Sequence, residues 1–103
     1  MAKVQIGKTT DLGPGKMKLV KIEGHGEIVL ANVGGKFHAM KGTCGHEGGP
    51  LWEGELAENV ITCPWHGAKW DVSSGNLVEF PLDLDPEPYY PVTVDGENLF
   101  IEI

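Results

Sequence analysis

The chain has 103 residues, of which 41% are hydrophobic and 22% are charged, a composition typical of one small globular domain. Its 15 acidic and 8 basic residues give a formal net charge of -7, and every basic residue is a lysine. We do not expect binding to nucleic acid, because phosphate contacts need a basic surface. No apolar run approaches the ~20 residues of a membrane-spanning helix. The first residues lack the apolar stretch of a secretory signal, so we expect a cytoplasmic protein with no membrane association.

Short apolar runs separated by turn residues predict an all-β chain, and the 15 glycines and 7 prolines agree with many turns. Gly34-Gly35 and Asp95-Gly96 are expected to supply the positive φ angles of hairpin turns. The pattern predicts a single domain over residues 1–103, an antiparallel sandwich or small barrel. The predicted strands are residues 4–6, 17–22, 27–33, 36–40, 60–62, 90–94 and 99–103.

The pattern changes between Met40 and Phe80, where glycine, proline, tryptophan, cysteine and histidine accumulate and strand periodicity nearly vanishes. Loops held on a rigid scaffold are where binding and catalytic residues concentrate. We therefore expect the functional site in this segment.

Both cysteines and two of the four histidines lie in this segment as Cys44-x-His46 and Cys63-x-x-His66, with 16 residues between the two pairs. The cysteines could be structural, with incidental histidines. A disulfide fits poorly with the missing secretory signal. A tetrahedral Cys2His2 zinc site is a third assignment, although Cys-x-His is tighter than the usual opening spacing of zinc sites. The fourth is an iron–sulfur cluster in which two histidines replace two cysteines on one iron.

Residues 44–51 (CGHEGGPL) and 63–71 (CPWHGAKWD) resemble the two cluster-binding loops of Rieske [2Fe–2S] proteins. The Gly-Gly-Pro-Leu run after His46 and the Pro-Trp-His-Gly run after Cys63 are specific in combination. Over its full length the chain looks like a stand-alone Rieske ferredoxin. The resemblance implies a small antiparallel β domain with a two-loop cluster-binding subdomain, approximately residues 41–80, at one tip. It also implies a third, proline-bearing loop at Phe80-Pro81.

By this resemblance, Cys44 and Cys63 bind one iron as thiolates, and His46 and His66 bind the other iron through a ring nitrogen. Neutral imidazoles carry less negative charge than thiolates, so they raise the reduction potential. The resemblance further implies glycines that let the backbone approach the cluster, together with prolines and apolar side chains that exclude water. These residues are Gly45, Gly48, Gly49, Gly67, Pro50, Pro64, Pro81, Leu51, Trp65 and Trp70.

At two places this sequence differs from the high-potential Rieske proteins, and both differences favour the low-potential subtype. High-potential Rieske proteins carry an extra disulfide at the positions that Gly49 and Trp65 occupy here. They also carry a serine and a tyrosine, which donate hydrogen bonds to sulfur, where this chain has Ala68 and Trp70. We therefore expect a potential toward the lower end of the range of about -150 to +300 mV.

Catalysis on an organic substrate is not expected. The mononuclear iron of a ring-hydroxylating oxygenase needs two histidines and a carboxylate, and only His25 and His38 remain, where ordinary turn and sheet roles suffice. A chain of this size also leaves no room for a substrate-holding domain. The resemblance implies instead a monomeric one-electron carrier between a flavin-containing NAD(P)H reductase and a terminal oxygenase.

The partners are expected to dock at the cluster tip, with an acidic stretch steering basic partners toward it. That stretch consists of Glu79, Asp83, Asp85 and Glu87. Two other functions remain open at this stage. One is the small subunit of an assimilatory nitrite reductase, which shares the fold, and the other is a zinc-stabilised interaction module.

Overall fold

A computed structural model describes residues 3–44, 48–65, 67–80 and 85–102. These ranges contain eleven short β-strands, two 3₁₀ helices and no α-helix, which confirms the prediction of an all-β chain. The strands are β1 (Lys3–Lys8), β2 (Met17–Ile22), β3 (Gly26–Val33), β4 (Lys36–Lys41), β5 (Glu55–Ala57), β6 (Val60–Thr62), β7 (Lys69–Asp71), β8 (Leu77–Glu79), β9 (Tyr89–Tyr90), β10 (Val92–Asp95) and β11 (Asn98–Glu102). The 3₁₀ helices are Thr9–Asp11 and Leu51–Glu53. Within the described ranges, neither helix has the length and apolarity needed to cross a membrane.

The strands form three antiparallel sheets with the orders β1-β11-β10, β2-β3-β4-β9 and β5-β6-β7-β8. In the first sheet the two outermost strands of the sequence pair with each other, and Lys3 lies opposite Glu102. The third sheet is formed wholly within residues 55–79. The segment expected to carry the site therefore has a sheet of its own.

Strand β3 is buried on both faces because it lies between two hydrophobic cores. Successive side chains of a strand point to opposite faces, so Ile28 and Leu30 enter one core while Val29 and Ala31 enter the other. The first, here named the basal core, contains Ile6, Leu12, Ile28, Leu30, Ala39, Leu99 and Ile101. The second, here named the cysteine core, contains Val29, Ala31, Met40, Cys44, Leu51, Ile61, Cys63, Ala68, Trp70 and Val72.

The two predicted hairpin turns differ in outcome. Gly34 and Gly35 have φ angles of 59° and 96° and form a two-residue loop, as predicted. The other prediction was wrong by one position, because Asp95 pairs with Asn98 and the loop is residues 96–97. Of the two loop residues, only Gly96 has a positive φ, 62°. Because this turn needs a positive φ at its first residue alone, Asp95 can remain extended in β10.

Between β4 and Phe80, where the sequence predicted the single strand 60–62, the described residues form four strands. The strand predicted at residues 60–62 is present as β6, but it pairs with β5 and β7, and β7 pairs with β8. Each of these four strands has three residues, which is too short for an alternating pattern to stand out from the sequence. Their pairing, rather than their individual periodicity, defines the sheet.

Gly75 joins this third sheet to the chain segment that precedes β9. Its carbonyl accepts a hydrogen bond of 2.8 Å from the Glu87 N–H, and it follows β7 in a turn closed on Asp71. Gly75 has a φ of 81°, and a Cβ atom at this position would overlap the backbone carbonyl oxygen of Glu87. Both the backbone angle and the close approach therefore require glycine.

We predict that Gly75→Ala destabilises the fold by more than about 2 kcal/mol, because left-handed strain of about 1–2 kcal/mol adds to displacement of the Glu87 backbone. Urea denaturation measures the free energy of unfolding. The matched control is Gly15→Ala, where φ is 78° but nothing lies within 4 Å of the added Cβ, so only the strain applies. Equal losses in the two variants would contradict a role for the close approach.

Candidate metal centre

The first cysteine lies in a six-residue loop, residues 44–49, between β4 and the 3₁₀ helix Leu51–Glu53. The Cys44 N–H donates to the Gly49 carbonyl at 2.8 Å, and the Gly48 N–H donates to the Cys44 carbonyl at 2.8 Å. These bonds fold the loop back on its cysteine. We refer to residues 44–49 as the first loop.

The second cysteine lies in a loop of the same length, residues 63–68, between β6 and β7, here named the second loop. The Cys63 N–H donates to the Ala68 carbonyl at 2.8 Å, and the Gly67 N–H donates to the Cys63 carbonyl at 3.1 Å. Gly67 and its counterpart Gly48 both have a φ of 76°. The two loops thus share one hydrogen-bonding scheme. A glycine four residues after each cysteine is the sequence signal for it, and the Cys/His spacing alone does not reveal it.

The two loops touch at Gly49. A Cβ atom on Gly49 would lie 2.7 Å from the Cys63 Sγ, so only a glycine allows the first loop to approach the sulfur this closely. Cys44 and Cys63 are 3% and 2% exposed and belong to the same core. Both side chains are thiols rather than a disulfide. Two buried thiols on paired loops are a suitable donor set for one iron, because soft thiolate ligands favour iron–sulfur clusters.

The two predicted histidine ligands, His46 and His66, lie outside the described residues, as do Gly45 and Pro81. Each histidine belongs by sequence to one of the two loops, His46 two residues after Cys44 and His66 three residues after Cys63. Their role as ligands therefore stays a prediction.

The remaining histidines have ordinary surroundings. His25 is exposed in the turn between β2 and β3, as expected. His38 is half-buried in β4, and its Nδ1 lies 3.3 Å from the Tyr89 hydroxyl. Burial lowers the pKa of His38, and the nearby Asp71 carboxylate opposes this shift. Neither ring is grouped with other metal-ligating side chains in the described part of the chain.

A family model for the Rieske [2Fe–2S] domain matches residues 2–100. The chain belongs to this family. It therefore carries a Rieske-type [2Fe–2S] cluster, and family membership decides between the cluster and zinc in favour of the cluster.

Two known proteins similar to this Rieske chain differ greatly in length. It is 34% identical over 103 residues to the ferredoxin component of biphenyl 2,3-dioxygenase from Rhodococcus jostii, covering 100% of this chain and 94% of that protein. It is 37% identical over 91 residues to apoptosis-inducing factor 3 from Homo sapiens, covering 88% of this chain but only 15% of that much longer protein.

Among solved structures, the fold matches a chain in the complex of reduced oxygenase and oxidised ferredoxin of carbazole 1,9a-dioxygenase. The TM-score is 0.90 at 28% identity, and the match covers 96% of this chain and 91% of that chain. This agreement confirms the predicted Rieske fold, an antiparallel β domain.

The apolar cover of the Rieske site is only partly as predicted. Leu51 and Trp70 are fully buried in the cysteine core, together with Ala68. Trp65, by contrast, is 55% exposed. Its ring packs on the first loop, 3.2 Å from where a Gly49 Cβ would lie. The positions that carry the disulfide in high-potential Rieske proteins are thus adjacent here, and the indole ring occupies the space beside the glycine.

The acidic stretch is also only partly as predicted. Glu79 and Asp85 are exposed, and Asp83 lies outside the described residues. The expectation for Glu87 was wrong, because its side chain is 7% exposed beneath the contact with Gly75 and cannot act on the surface. Burial raises the pKa of Glu87, and Lys41 acts in the opposite sense. Its Oε2 has no hydrogen-bond partner among the described residues.

We predict that Gly49→Ala impairs cluster binding, because overpacking against the Cys63 sulfur costs about 1–3 kcal/mol and lowers cluster occupancy at least about fivefold. Iron and acid-labile sulfide per chain measure this after identical purification. The matched control is Gly13→Ala, because neither Gly13 nor Gly49 has a positive φ and nothing lies within 4 Å of a Cβ at Gly13. It is expected to keep both the fold stability and the cluster. Full occupancy in Gly49→Ala would contradict the close approach.

We predict that Glu87→Gln stabilises the protein at neutral pH but not in acid. Because the pKa of Glu87 is raised in the folded state, its protonated carboxyl favours folding below the ordinary pKa of 4.5. This contribution to the free energy of unfolding is lost as the pH rises through the folded-state pKa. The variant should therefore become more stable than the parent by about 1 kcal/mol as the carboxylate ionises. Urea unfolding of both proteins, at pH values below and above the ionisation of Glu87, measures the difference between their free energies of unfolding. The matched control is Glu97→Gln, which changes an exposed carboxyl, and its free energy of unfolding should stay within about 0.5 kcal/mol of the parent's.

Proposed function

We propose that this Rieske protein is a one-electron carrier that accepts electrons from a flavin-containing NAD(P)H reductase and delivers them to a terminal oxygenase. The observation that carries the proposal is the match to the biphenyl dioxygenase ferredoxin component, which extends over all of this chain and 94% of that protein. The likeness to a ferredoxin–oxygenase complex supports the same direction of transfer. The proposed role is electron transfer rather than catalysis on an organic substrate.

We assign Cys44 and Cys63 as thiolate ligands of one iron, and His46 and His66 as imidazole ligands of the other. The two buried thiols, in loops closed by the same pair of backbone hydrogen bonds, support the cysteine assignment. The position of one histidine in each loop supports the histidine assignment. When bound, the cluster supplies a site that takes up and releases one electron.

Buried apolar side chains exclude water from the inner side of the site, whereas residues of the second loop are exposed to solvent on its outer side. Leu51, Ala68 and Trp70 close the cysteine core, and each is 0% exposed. On the outer side, Pro64 and Trp65 of the second loop are exposed. We propose that this tip docks on both partners in turn, since transient electron-transfer encounters use small surfaces.

We also propose a domain organisation, an oligomeric state and a cellular location for this protein. Residues 41–80 form the cluster-binding subdomain of one domain spanning residues 1–103, because both loops and the third sheet lie in that segment. A carrier that presents the same tip to two partners works most simply as a monomer, and we place it in the cytoplasm with nicotinamide-dependent reductases. Exposed Glu79 and Asp85 are available to steer basic partners.

We predict that the dithionite-reduced protein gives an electron paramagnetic resonance signal with an average g below that of four-cysteine clusters, because imidazoles replace two thiolates. Iron analysis accompanies the spectrum. His46→Ala and His66→Ala should abolish the signal, whereas the matched controls His25→Ala and His38→Ala should retain it.

A sample that holds zinc and no iron, or a signal that survives loss of His46 or His66, would contradict the ligand assignment. Redox titration of the same sample tests the subtype. A midpoint above roughly +100 mV, within the range known for these centres, would contradict the expected low potential.

A further inference from the structure

The indole N–H of Trp70 is a buried hydrogen-bond donor in the cysteine core. The indole Nε1 of Trp70 is inaccessible to solvent and has no hydrogen-bond partner in the part of the chain that the structure describes. The side chain as a whole is 0% exposed. Leaving a buried donor unpaired costs about 1–3 kcal/mol, so buried indole N–H groups usually find a partner.

The strand register places this indole beside the Cys63 side chain. Trp70 of β7 lies opposite Ile61 of β6, and the hydrogen bond from the Cys63 N–H to the Ala68 carbonyl continues the ladder by two residues. Residues two apart on a strand share a face, so Cys63, Ile61, Ala68 and Trp70 all point into the cysteine core. Trp70 and Cys63 are therefore diagonal neighbours on one sheet face, a relation within reach of aromatic side chains.

The cluster would bring new acceptors to this face of the sheet. Iron-bound thiolate and sulfide sulfurs carry negative charge, and hydrogen bonds to such sulfurs are among the features that set the potential of a cluster. In the described chain, Ala68 offers no donor side chain beside the second loop, which leaves the Trp70 N–H as the buried side-chain donor without a partner.

We propose that the Trp70 indole N–H donates a hydrogen bond to a sulfur of the bound cluster or of its cysteine ligands and thereby raises the reduction potential. Reduction adds negative charge to the sulfurs, so the bond is stronger in the reduced state and stabilises it. Trp70 is thus a tuning residue that partly offsets the loss of the two hydroxyl donors that high-potential Rieske proteins carry at the positions of Ala68 and Trp70. The inference rests on the proposed ligation by Cys44 and Cys63.

The first test is the midpoint potential of Trp70→Phe, which removes the N–H and keeps an aromatic ring. We expect reduction to become about tenfold less favourable, a decrease of about 59 mV for a one-electron couple. The matched control is Trp52→Phe, because Trp52 is a partly buried indole packed against the same core. Its potential should stay unchanged. An unchanged potential in Trp70→Phe, or an equal decrease in both variants, would overturn the inference.

The second test starts from the wild-type protein, so its first result does not require a variant to fold. The chain has three tryptophans, so labelling them with ¹⁵N at the indole nitrogen allows pulsed electron paramagnetic resonance of the reduced wild-type cluster to detect a coupled nitrogen. We expect one indole coupling, which Trp52→Phe keeps and Trp70→Phe removes. Absence of the coupling in a cluster-containing sample would overturn the hydrogen bond alone, whereas a sample without iron would overturn the proposed function as well.

Discussion

The approach of the Gly49 backbone to the Cys63 sulfur sets the arrangement of the whole tip. With a Cβ only 2.7 Å from that sulfur, any residue other than glycine would push the loops apart. The glycine lets two loops with the same hydrogen bonds place both thiols in one core. The sheet β5-β6-β7-β8 then holds the second loop, because that loop is the connection between β6 and β7. The two thiols, the close approach of the Gly49 backbone and the sheet that supports the second loop thus all lie within residues 44–79.

The two hydrophobic cores pack on opposite faces of β3 and so support the end of the domain that carries the first and second loops. Strand β3 contributes Ile28 and Leu30 to the basal core and Val29 and Ala31 to the cysteine core, all of them fully buried. Tight packing on both faces leaves β3 little freedom to move. The loops can therefore keep their geometry while the exposed side of the tip meets different partners, and small reorganisation on electron transfer is the expected benefit.

The sequence predicted the features that depend on neighbouring residues. The apolar run of β3, the Gly34-Gly35 turn and the Cys/His spacing each carry a local pattern, and together they were sufficient for the fold class and the cofactor. Features that depend on distant residues were not predicted. The three-residue strands β5, β7 and β8 form by pairing with one another and with β6, and Glu87 is buried at its contact with Gly75. The position of Trp70 diagonal to Cys63 likewise depends on the register between β6 and β7. His46 and His66 lie outside the described residues, so their role as ligands is a prediction from the sequence.

The pairing of β1 with β11 brings the two outer strands together in one sheet, with Lys3 opposite Glu102. Both strands pack on the basal core rather than around the cysteines. A polypeptide joined at either strand would therefore leave from the same side of the domain without crossing the first or the second loop. A domain of this kind can therefore act as a separate diffusing protein or form part of a longer chain. The match to human apoptosis-inducing factor 3 covers only 15% of that protein. Such fusion exchanges diffusional encounter for a fixed local concentration.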